Sequence, residues 1–332
     1  MTCKIECLDA MRGSDWALYN ADCVQFAQQL PDNSVGFAVY SPPFANLYTY
    51  SDSALDMGNC ADDKEFFDHY RFLVHEKHRV LKPGRLTAVH CKELVNYAGS
   101  SPDGMAGLRD FPGEIIRVHQ EAGFAYHSRV TIWRDPVTEM QKTKAHGLLW
   151  KSLRTDSTFS RQGMAEYVLF FRKWAGEGEA VEPVTHTHEE YPVKKWQAAA
   201  SPVQLVKRWR WKPSRRAAAG LPTTKPRTLR PWMDIDYTDV LNVRQAREDK
   251  DEKHMCPLPL PIIKQCLELY SNPGDVVVSF FAGVGSEGVQ SLRMGRKFIG
   301  CELKESYFVQ GAKNLAEEER PDPQTDLFGM LR

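Results

Sequence analysis

The chain has 332 residues, 42% hydrophobic and 26% charged, a composition typical of a soluble globular protein with one large domain or two smaller ones. No apolar run approaches the roughly 18–20 residues that a membrane span needs, and the N-terminal segment lacks the features of a signal peptide. The eight cysteines are widely spaced and form no C-x-x-C pair. The sequence therefore predicts reduced thiols in a cytoplasmic protein, without a disulfide framework or a zinc site.

Helix and strand patterns alternate along the first half of the chain. The apolar spacing predicts, in order, a short strand near Trp16, a helix over 22–30, a strand over 35–40, a helix over 66–81, a strand over 85–90, a helix over 113–122, a strand over 125–133 and a strand over 166–174. Such alternation is typical of a sheet that helices cover on both faces, so we predict an α/β fold.

The alternation stops between 174 and 230, where charge is strongly segregated although the net charge of the chain is zero. Residues 174–191 include five glutamates and no lysine or arginine, whereas residues 192–230 include eleven lysines and arginines and no acid. The cations are interleaved with Trp196, Trp209 and Trp211, a combination that suits a phosphate backbone with exposed bases. A solvated, flexible linker is the alternative. The predicted DNA-binding residues are Lys207, Arg208, Arg210 and Arg215.

A glycine-rich turn lies in the last third of the chain. The pattern there predicts a helix over 260–270, a strand over 275–281, a helix over 286–294 and a strand over 297–302. Gly283, Gly285 and Gly288 fall between strand and helix, and Glu302 ends the following strand 19 residues after Gly283. Glycines allow close approach of the backbone to a ligand, and an acid can bind two ribose hydroxyls. The alternative is a tight turn that requires glycine for its own geometry.

The length of the chain beyond this turn bears on the identity of the ligand. A dinucleotide fold would continue into a second nucleotide-binding half, whereas only 30 residues follow Glu302. They are typical of one helix and a polar tail. S-adenosyl-L-methionine needs a single adenosine site, and an aromatic ring from Phe280-Phe281 could cover its adenine or its methionine chain. We therefore predict S-adenosyl-L-methionine as the cofactor.

Ser41-Pro42-Pro43-Phe44 directly follows a predicted strand. An exocyclic amine of a base is a poor nucleophile, and a site that methylates it must hold its two N–H groups with acceptors. The Ser41 hydroxyl and the Pro42 carbonyl are suitable acceptors, Pro42 and Pro43 fix the backbone, and Phe44 can stack on a flipped base. A turn that merely ends the strand is the alternative interpretation.

These motifs resemble those of the DNA amino-methyltransferases of the exocyclic-nitrogen class (N-4 cytosine or N-6 adenine), in the permuted beta group. The SPPF run matches the catalytic motif (D/N/S)-P-P-(Y/F/W), and Phe281, Gly283 and Gly285 match the cofactor motif F-x-G-x-G. The resemblance covers roughly 16–95 and 231–315, with the catalytic motif first. It implies a Rossmann-like S-adenosylmethionine-dependent methyltransferase fold with a mostly parallel sheet and an inserted recognition region.

The resemblance also implies individual roles and shows departures from the family pattern. Glu302 would be the ribose-binding acid, and Asp22, at the end of the first strand, would lie near the cofactor adenine. The family usually has Asp-Pro-Phe where this chain has Ser279-Phe280-Phe281. It also usually has Gly-Ser-Gly-Thr-Thr where the chain reads GVGSE from Gly283. Loss of the aspartate would change how the methionine part is held.

The resulting organisation has four parts. Residues 1–173 form the catalytic half, with part of 95–173 contributing to DNA recognition. Residues 174–230 form a linker and basic DNA-contacting insertion, 231–318 the cofactor half of the same domain, and 319–332 a polar tail.

The expected reaction is methylation of a flipped base in double-stranded DNA, with the 4-amino group of cytosine preferred over the 6-amino group of adenine. Members of the family with serine at the first motif position mostly modify cytosine. The alternatives are a non-catalytic DNA-binding module with the same fold, the same chemistry on RNA or protein, and a nicotinamide oxidoreductase, which would leave SPPF unexplained. A restriction endonuclease partner would fit this function, while the sequence specifies neither oligomeric state nor recognition sequence.

Overall fold

A computed structural model gives the positions of residues 5–44, 57–60, 62–99, 104–134, 150–159, 163–200, 203–204, 236, 238–242, 246 and 257–319. The chain divides into two compact units. The first comprises Met1–Arg129, Glu166–Thr185 and Thr238–Arg332, and the second Val130–Ala165 and His186–Tyr237. Within the ranges given, no helix combines the length and the apolar character that crossing a membrane requires.

The strands of the described residues, in chain order, are β1 (Asp9–Arg12), β2 (Trp16–Asn20), β3 (Phe37–Tyr40), β4 (Leu86–Lys92), β5 (Leu94–Asn96), β6 (Gly107–Arg109), β7 (Ala125–Ile132), β8 (Glu166–Arg172), β9 (Val203–Gln204), β10 (Val276–Ser279) and β11 (Lys297–Glu302). The helices are α1 (Cys23–Gln28), α2 (Asp63–Val80), α3 (Phe111–Glu121), α4 (Trp150–Thr155), α5 (Val193–Ala199), α6 (Leu260–Tyr270), α7 (Ser286–Arg293) and α8 (Glu305–Glu319).

The first unit is built on a mostly parallel sheet in the order β1-β2-β11-β10-β3-β4-β8-β7. The five neighbouring strands from β2 to β4 are parallel, while β1 and β8 are antiparallel to β2 and β4. Strand β3 is buried along its whole length, as expected for a strand that is covered on both faces. In the second unit, Thr131 and Ile132 at the end of β7 pair in parallel with β9.

Helices cover the two faces of this sheet, and the alternation of side chains along β3 shows which face each set covers. Tyr40 packs in the core with Phe66 and Tyr70 of α2, and helices α1 and α3 both contact α2. Phe37 instead stacks on Tyr270 of α6, on the face where α7 contacts both α6 and α8. The unit is therefore the three-layered, Rossmann-like α/β arrangement predicted from the sequence.

Aspartate caps determine where three helices begin on the first face. Asp22 accepts hydrogen bonds from the backbone of Val24 and Gln25 at the start of α1. Asp62 and Asp110 accept equivalent bonds at the starts of α2 and α3. Such caps satisfy backbone N–H groups that have no partner within the helix. Because α1 follows β2 at once, its cap fixes Asp22 at the carboxyl end of that strand.

The predicted helices and strands of the first unit are confirmed, with ends shifted by a few residues. Strand β1 and the antiparallel pair of β5 and β6 were not predicted. Residues 174–185, predicted to begin a linker, belong to the first unit, where Glu182 binds Lys82 at 2.9 Å and the Asn272 amide donates to the Pro183 carbonyl at 2.9 Å. The rest of the predicted linker contains the short helix α5, which lies in the second unit.

Candidate active site

The sequence-predicted catalytic and cofactor residues lie along one edge of the sheet, at the carboxyl ends of adjacent parallel strands. From β10 the chain moves to β11 on one side, whereas from β3 it moves to β4 on the other side. The order of the strands therefore reverses between β10 and β3. In open α/β sheets such a reversal leaves a crevice beyond the carboxyl ends, where ligands bind. The glycine turn follows β10 and SPPF follows β3, so the two motifs flank this crevice.

Aromatic contacts connect the two motifs. The ring of Tyr40, the last residue of β3, lies 5.7 Å from that of Phe280 and 5.6 Å from that of Phe281, between centroids. Tyr40 and Phe280 are buried, while Phe281 is half-buried at the start of the glycine turn. The position of Ser41, the next residue after Tyr40, is thus coupled to the position of the predicted cofactor turn.

The glycine turn joins β10 to α7 and has the backbone conformation that its sequence suggests. Gly283 and Gly285 have φ angles of 52° and 85°, in the left-handed region that side-chain-bearing residues rarely adopt. The Glu302 carboxylate, at the end of β11, accepts a 2.8 Å hydrogen bond from the Gly283 N–H and a 3.0 Å bond from the Lys304 N–H. Glu302 therefore holds the turn and retains acceptor capacity, because each carboxylate oxygen has two lone pairs.

The space around the turn fits a ligand. A Cβ atom built at Gly283 would have no described atom within 4 Å, whereas one at Gly285 would lie 3.3 Å from the Gly311 carbonyl of α8. Ser279 and Ser286 have buried hydroxyls that find no partner among the described residues. Open space beside a glycine, with two unsatisfied hydroxyls nearby, is what a site for the predicted S-adenosyl-L-methionine requires.

A buried glutamate adjoins this turn at a position where the family usually has threonine. Burial raises the pKa of the Glu287 carboxyl to about 8. The negative charge of Glu302 also raises this pKa, while a hydrogen bond from the Glu287 backbone N–H lowers it. The Glu287 side chain is therefore mainly neutral at pH 7. It adds little negative charge to that of Glu302.

Asp22 lies on the same edge, after β2 and beside β11. Asn20, opposite Glu302 in the register, donates from its side-chain amide to the carbonyls of Glu302 and Leu303 at 2.9 and 2.8 Å. Asp22 and Glu302 thus follow neighbouring strands whose ends are fixed together. The Oδ1 atom of Asp22 accepts both N-cap hydrogen bonds, so this carboxylate has a structural role at α1 as well as its predicted position near an adenine.

The SPPF segment is firmly packed. Pro42 and Pro43 are buried, while Ser41 and Phe44 are half-buried. The Phe44 ring meets Phe111 of α3 edge-on at 6.0 Å, and the Lys92 ammonium lies 5.9 Å from its centroid. Phe44 is therefore supported from within the core, so the ring that the sequence predicts to stack on a base is fixed in position.

The sequence did not predict two residues near Ser41, namely His90, two residues before the end of β4, and Glu166 at the start of β8. The Ser41 hydroxyl donates to the His90 carbonyl at 3.2 Å and lies 3.4 Å from the imidazole Nδ1. The imidazole Nε2 lies 3.1 Å from the Glu166 carboxylate. Both residues are buried. Polar residues at the ends of apolar strands were the only sequence signal for this pair.

The predicted DNA-binding residues Lys207, Arg208, Arg210 and Arg215 lie outside the described residues. Within the second unit, the exposed Trp196 of α5 and the Lys195 ammonium, 4.7 Å from the Tyr191 ring centroid, belong to the start of the basic segment. Among the described residues, no three histidines, cysteines or acids are grouped so as to hold a metal ion.

Comparison with known sequences gives local and extended similarities. The chain is 37% identical over 67 residues to the DNA adenine methyltransferase YhdJ of Escherichia coli (strain K12), covering 20% of this chain and 23% of YhdJ. It is 23% identical over 292 residues to the type II methyltransferase M.BglII of Bacillus subtilis, covering 87% of this chain and 66% of that protein. The chain thus spans less than two thirds of the length of either relative.

Comparison with solved structures shows a shared fold. A protein of Thermus thermophilus, described as a candidate DNA modification methylase and crystallised with S-adenosyl-L-methionine, matches with a TM-score of 0.58 at 18% identity, covering 91% of this chain and 95% of that one. The cytosine-N4-specific PvuII DNA methyltransferase matches with a TM-score of 0.57 at 16% identity, covering 95% and 92%.

The family model of the N6_N4_Mtase DNA methylases matches residues 35–313, which include the SPPF loop, the glycine turn and Glu302. That span covers most of the chain and includes β10 and β3, the two strands that the motifs follow and between which the strand order reverses. The chain therefore belongs to this family of DNA methylases.

Proposed function

We propose that the protein transfers a methyl group from S-adenosyl-L-methionine to the exocyclic amine of a base flipped out of double-stranded DNA. One observation carries the proposal: the SPPF loop and the glycine turn follow adjacent parallel strands and are joined through Tyr40 and Phe281, whose rings lie 5.6 Å apart. A donor bound at one motif and an amine bound at the other would lie side by side in the crevice.

The cofactor half of the site would use the residues around the glycine turn. S-adenosyl-L-methionine supplies a methyl group activated by its attachment to a sulfonium. Glu302 accepts hydrogen bonds from the ribose, Gly283 and Gly285 allow close approach of the backbone, and Phe281 contributes an aromatic surface. Asp22 borders the adenine side. The Ser279 hydroxyl, which has no hydrogen-bond partner among the described residues, replaces the aspartate usual in the family and binds the methionine part without adding charge.

The base half of the site would use the SPPF loop. The Ser41 hydroxyl and the Pro42 carbonyl accept the two N–H groups of the amine and orient its nitrogen. Pro42 and Pro43 are buried, so these acceptors are fixed before the base arrives. Phe44 stacks on the flipped base. Extraction of the base is required because the amine is otherwise inside the duplex.

The DNA itself would be bound by the basic segment within 194–230, including Lys207, Arg208, Arg210 and Arg215. Residues 95–230 would supply the side chains that read the recognition sequence in the groove. Similarity to a type II methyltransferase supports a place in a restriction-modification system, with a restriction endonuclease as its partner. Such a system acts on cellular DNA, so the proposal places the protein in the cytoplasm.

Our preferred base is cytosine, methylated at its 4-amino group. The preference rests on serine at the first position of the catalytic motif. A hydroxyl can also donate to the cytosine ring nitrogen, but the Ser41 proton is directed to His90, so towards the base Ser41 acts as an acceptor. Adenine 6-amino methylation is the second candidate, supported by the 37% identity to a DNA adenine methyltransferase.

The decisive experiment incubates the protein and S-adenosyl-L-methionine with unmethylated genomic DNA, followed by digestion and mass spectrometry of the nucleosides. We expect N4-methyldeoxycytidine. N6-methyldeoxyadenosine alone would overturn the choice of base and leave the reaction standing. Binding of S-adenosyl-L-methionine and of DNA without any methylated nucleoside would replace the enzyme with a non-catalytic DNA-binding module. Methyl transfer to RNA or protein alone would overturn the substrate.

A further inference from the structure

Ser41, His90 and Glu166 form a continuous polar chain at the edge of the sheet. The register of β3 and β4 pairs Tyr40 with Val89, so the residues that follow, Ser41 and His90, come side by side on the opposite face. In the antiparallel pair, Glu166 is opposite Lys92, two residues after His90 on the same face. Ser41 after β3, His90 of β4 and Glu166 of β8 thus meet because of the strand order. The Ser41 Oγ atom lies 3.4 Å from His90 Nδ1, and His90 Nε2 lies 3.1 Å from the Glu166 carboxylate.

The chemistry of these groups fixes the direction of the hydrogen bonds. An ionised carboxylate only accepts, so the Nε2 atom of a neutral His90 must carry the proton that it shares with Glu166. The Nδ1 atom of His90 then has a free lone pair facing Ser41. The hydroxyl proton of Ser41 is directed to His90, between Nδ1 and the carbonyl oxygen at 3.2 Å. The lone pairs of the hydroxyl are left for a hydrogen-bond donor in the crevice.

Burial makes this arrangement costly as a purely structural device. His90 and Glu166 are 9% and 6% exposed. Taking a carboxylate out of water is unfavourable, and pairs of this kind are often replaceable by apolar residues without loss of stability. Their position, behind a hydroxyl that faces the crevice, is the arrangement by which a carboxylate orients an imidazole and the imidazole orients a hydroxyl.

We propose that His90 and Glu166 are positioning residues of the methyl transfer, holding Ser41 as an acceptor and receiving the proton that the amine loses. The inference rests on the proposed function. In the reaction the amine nitrogen forms a bond to the methyl carbon, the sulfur–carbon bond breaks and the sulfur keeps its electron pair. The nitrogen is then cationic. Its proton passes to Ser41 Oγ while the Ser41 proton passes to His90 Nδ1, and Glu166 stabilises the imidazolium until it releases a proton to water.

The first test is a double-mutant cycle in single-turnover methyl transfer with tritiated cofactor. His90→Ala should reduce the rate by roughly 10²-fold, the scale of a general-base contribution. Ser41→Ala together with His90→Ala should be no slower than Ser41→Ala alone, because both changes disable one unit. Glu166→Gln, which keeps an acceptor but removes the charge, should be faster than Glu166→Ala. Rate losses of Ser41→Ala and His90→Ala that multiply in the double variant would overturn the proposed proton transfer from Ser41 to His90. An unchanged rate in His90→Ala would overturn it as well.

Controls separate this role from a general effect on folding. The matched control is His78→Ala, which removes a half-buried histidine of α2 whose ring packs edge-on against Phe124 at 4.8 Å between centroids, and should leave the rate unchanged. The Kd for S-adenosyl-L-methionine by calorimetry and the KM for DNA should remain at wild-type values in the His90 and Glu166 variants. A loss confined to these binding constants would assign the pair a structural role and overturn the proposal.

A second readout does not depend on activity. Nitrogen-15 NMR of labelled histidine, assigned with His90→Gln and recorded in mildly alkaline buffer, should show His90 with Nε2 protonated and Nδ1 bare. A His90 ring protonated at Nδ1 would overturn the proposed proton transfer from Ser41 to His90 even if the enzyme is active. If the wild-type protein methylates no nucleic acid, the proposed function itself is wrong. If His90→Ala methylates DNA at the wild-type rate, the proposed function stands and only the role of His90 and Glu166 is overturned.

Discussion

The Ser41 hydroxyl follows the carboxyl end of β3 and is held by His90 of the neighbouring strand. This position allows a sharp test of its role. Ser41→Ala removes a small, half-buried hydroxyl, so we expect an intact fold and unchanged affinity for S-adenosyl-L-methionine. Methyl transfer should fall by about 10²-fold or more, because a preorganised acceptor is lost. The rate is measured with tritiated cofactor and the affinity by calorimetry.

The matched control for Ser41→Ala is Ser34→Ala. The Ser34 hydroxyl also donates to a backbone carbonyl, that of Pro31, at 2.6 Å, but it precedes β3 and lies at the opposite end of that strand from Ser41. Ser34→Ala should leave the rate of methyl transfer unchanged. A parallel loss of cofactor affinity in Ser41→Ala would contradict the assignment of Ser41 to the base.

Glu302 combines two tasks, since it fixes the Gly283 N–H and is proposed to bind the ribose. Glu302→Ala should therefore weaken binding of S-adenosyl-L-methionine. A hydrogen bond to a charged acceptor is worth about 1.5–3 kcal/mol, which corresponds to roughly a 10- to 150-fold rise in Kd. Calorimetry measures this change. The exposed Glu305, three residues later, provides the control in Glu305→Ala, and equal Kd values for both variants would refute the role of Glu302.

Gly283 is a separate test of the same turn. Gly283→Val places a side chain in space that no described atom occupies and forces a β-branched residue into a left-handed conformation. We expect a loss of cofactor binding that exceeds any loss of thermal stability, because the side chain would fill the ligand space rather than clash with the protein. Unchanged calorimetric affinity would show that the ligand does not approach Gly283.

Helix α2 carries a polar network that contacts Tyr40, the last residue of β3. The fully buried Lys77 donates to the Tyr40 hydroxyl at 2.6 Å and lies 2.5 Å from Nε2 of His119, whose Nδ1 donates to the Ile115 carbonyl at 2.7 Å. Tyr40 in turn shares a 2.8 Å hydrogen bond with Tyr70. Burial lowers the pKa of Lys77 well below its ordinary value. Burial, with the charge of Lys77, does the same for the pKa of His119.

These lowered pKa values make stability depend on pH in a defined direction. Between its folded and its ordinary pKa, each group binds a proton in the unfolded chain and not in the folded one, so stability rises with pH. The pH range in which Lys77 has this effect lies below about pH 10.4, and the corresponding range for His119 lies below about pH 6.5. Each group contributes up to about 1.4 kcal/mol per pH unit to the free energy of unfolding within its window.

Replacing the buried amine tests this dependence. Lys77→Met removes a titrating group of similar shape, so between neutral pH and about pH 10 the rise in unfolding free energy with pH should be shallower than in the wild type. Urea denaturation at several pH values measures it. The control is Lys64→Met on the same helix, where the lysine side chain is 85% exposed. An identical slope in Lys77→Met and the wild type would show that the buried amine does not titrate in this range.

The order of the sheet explains which features of the molecule were predictable. The helices, the strands, SPPF and the glycine turn are local patterns of about ten residues, and local patterns are what periodicity and turn chemistry reveal. His90 and Glu166 meet only because β8 enters antiparallel beside β4. Arg85 and Asp275, a buried pair at 2.9 Å, are 190 residues apart in the chain. Such contacts depend on strand order, which no single segment encodes.

Charge distribution over the entire chain determines how it can bind DNA. Lysine plus arginine and aspartate plus glutamate number 43 each, so the protein has no net charge to attract a polyanion. Attraction must come from a local excess of cations. The stretch 192–230 has eleven cations and no acid, and it follows a stretch of five glutamates, of which Glu182 is already paired with Lys82 in the first unit.

DNA binding by this segment should therefore be strongly salt-dependent. If about five of the eleven cations reach phosphates, the logarithm of the binding constant should fall with the logarithm of salt concentration with a slope near −4 to −5. Reversing Arg208, Arg210 and Arg215 to glutamate should make the slope shallower by roughly 3. Reversing Arg293 and Lys297, exposed residues at the amino edge of the sheet, should leave the slope unchanged. Fluorescence anisotropy across a salt series measures each slope, and equal slopes for both sets of variants would make the basic segment a solvated linker.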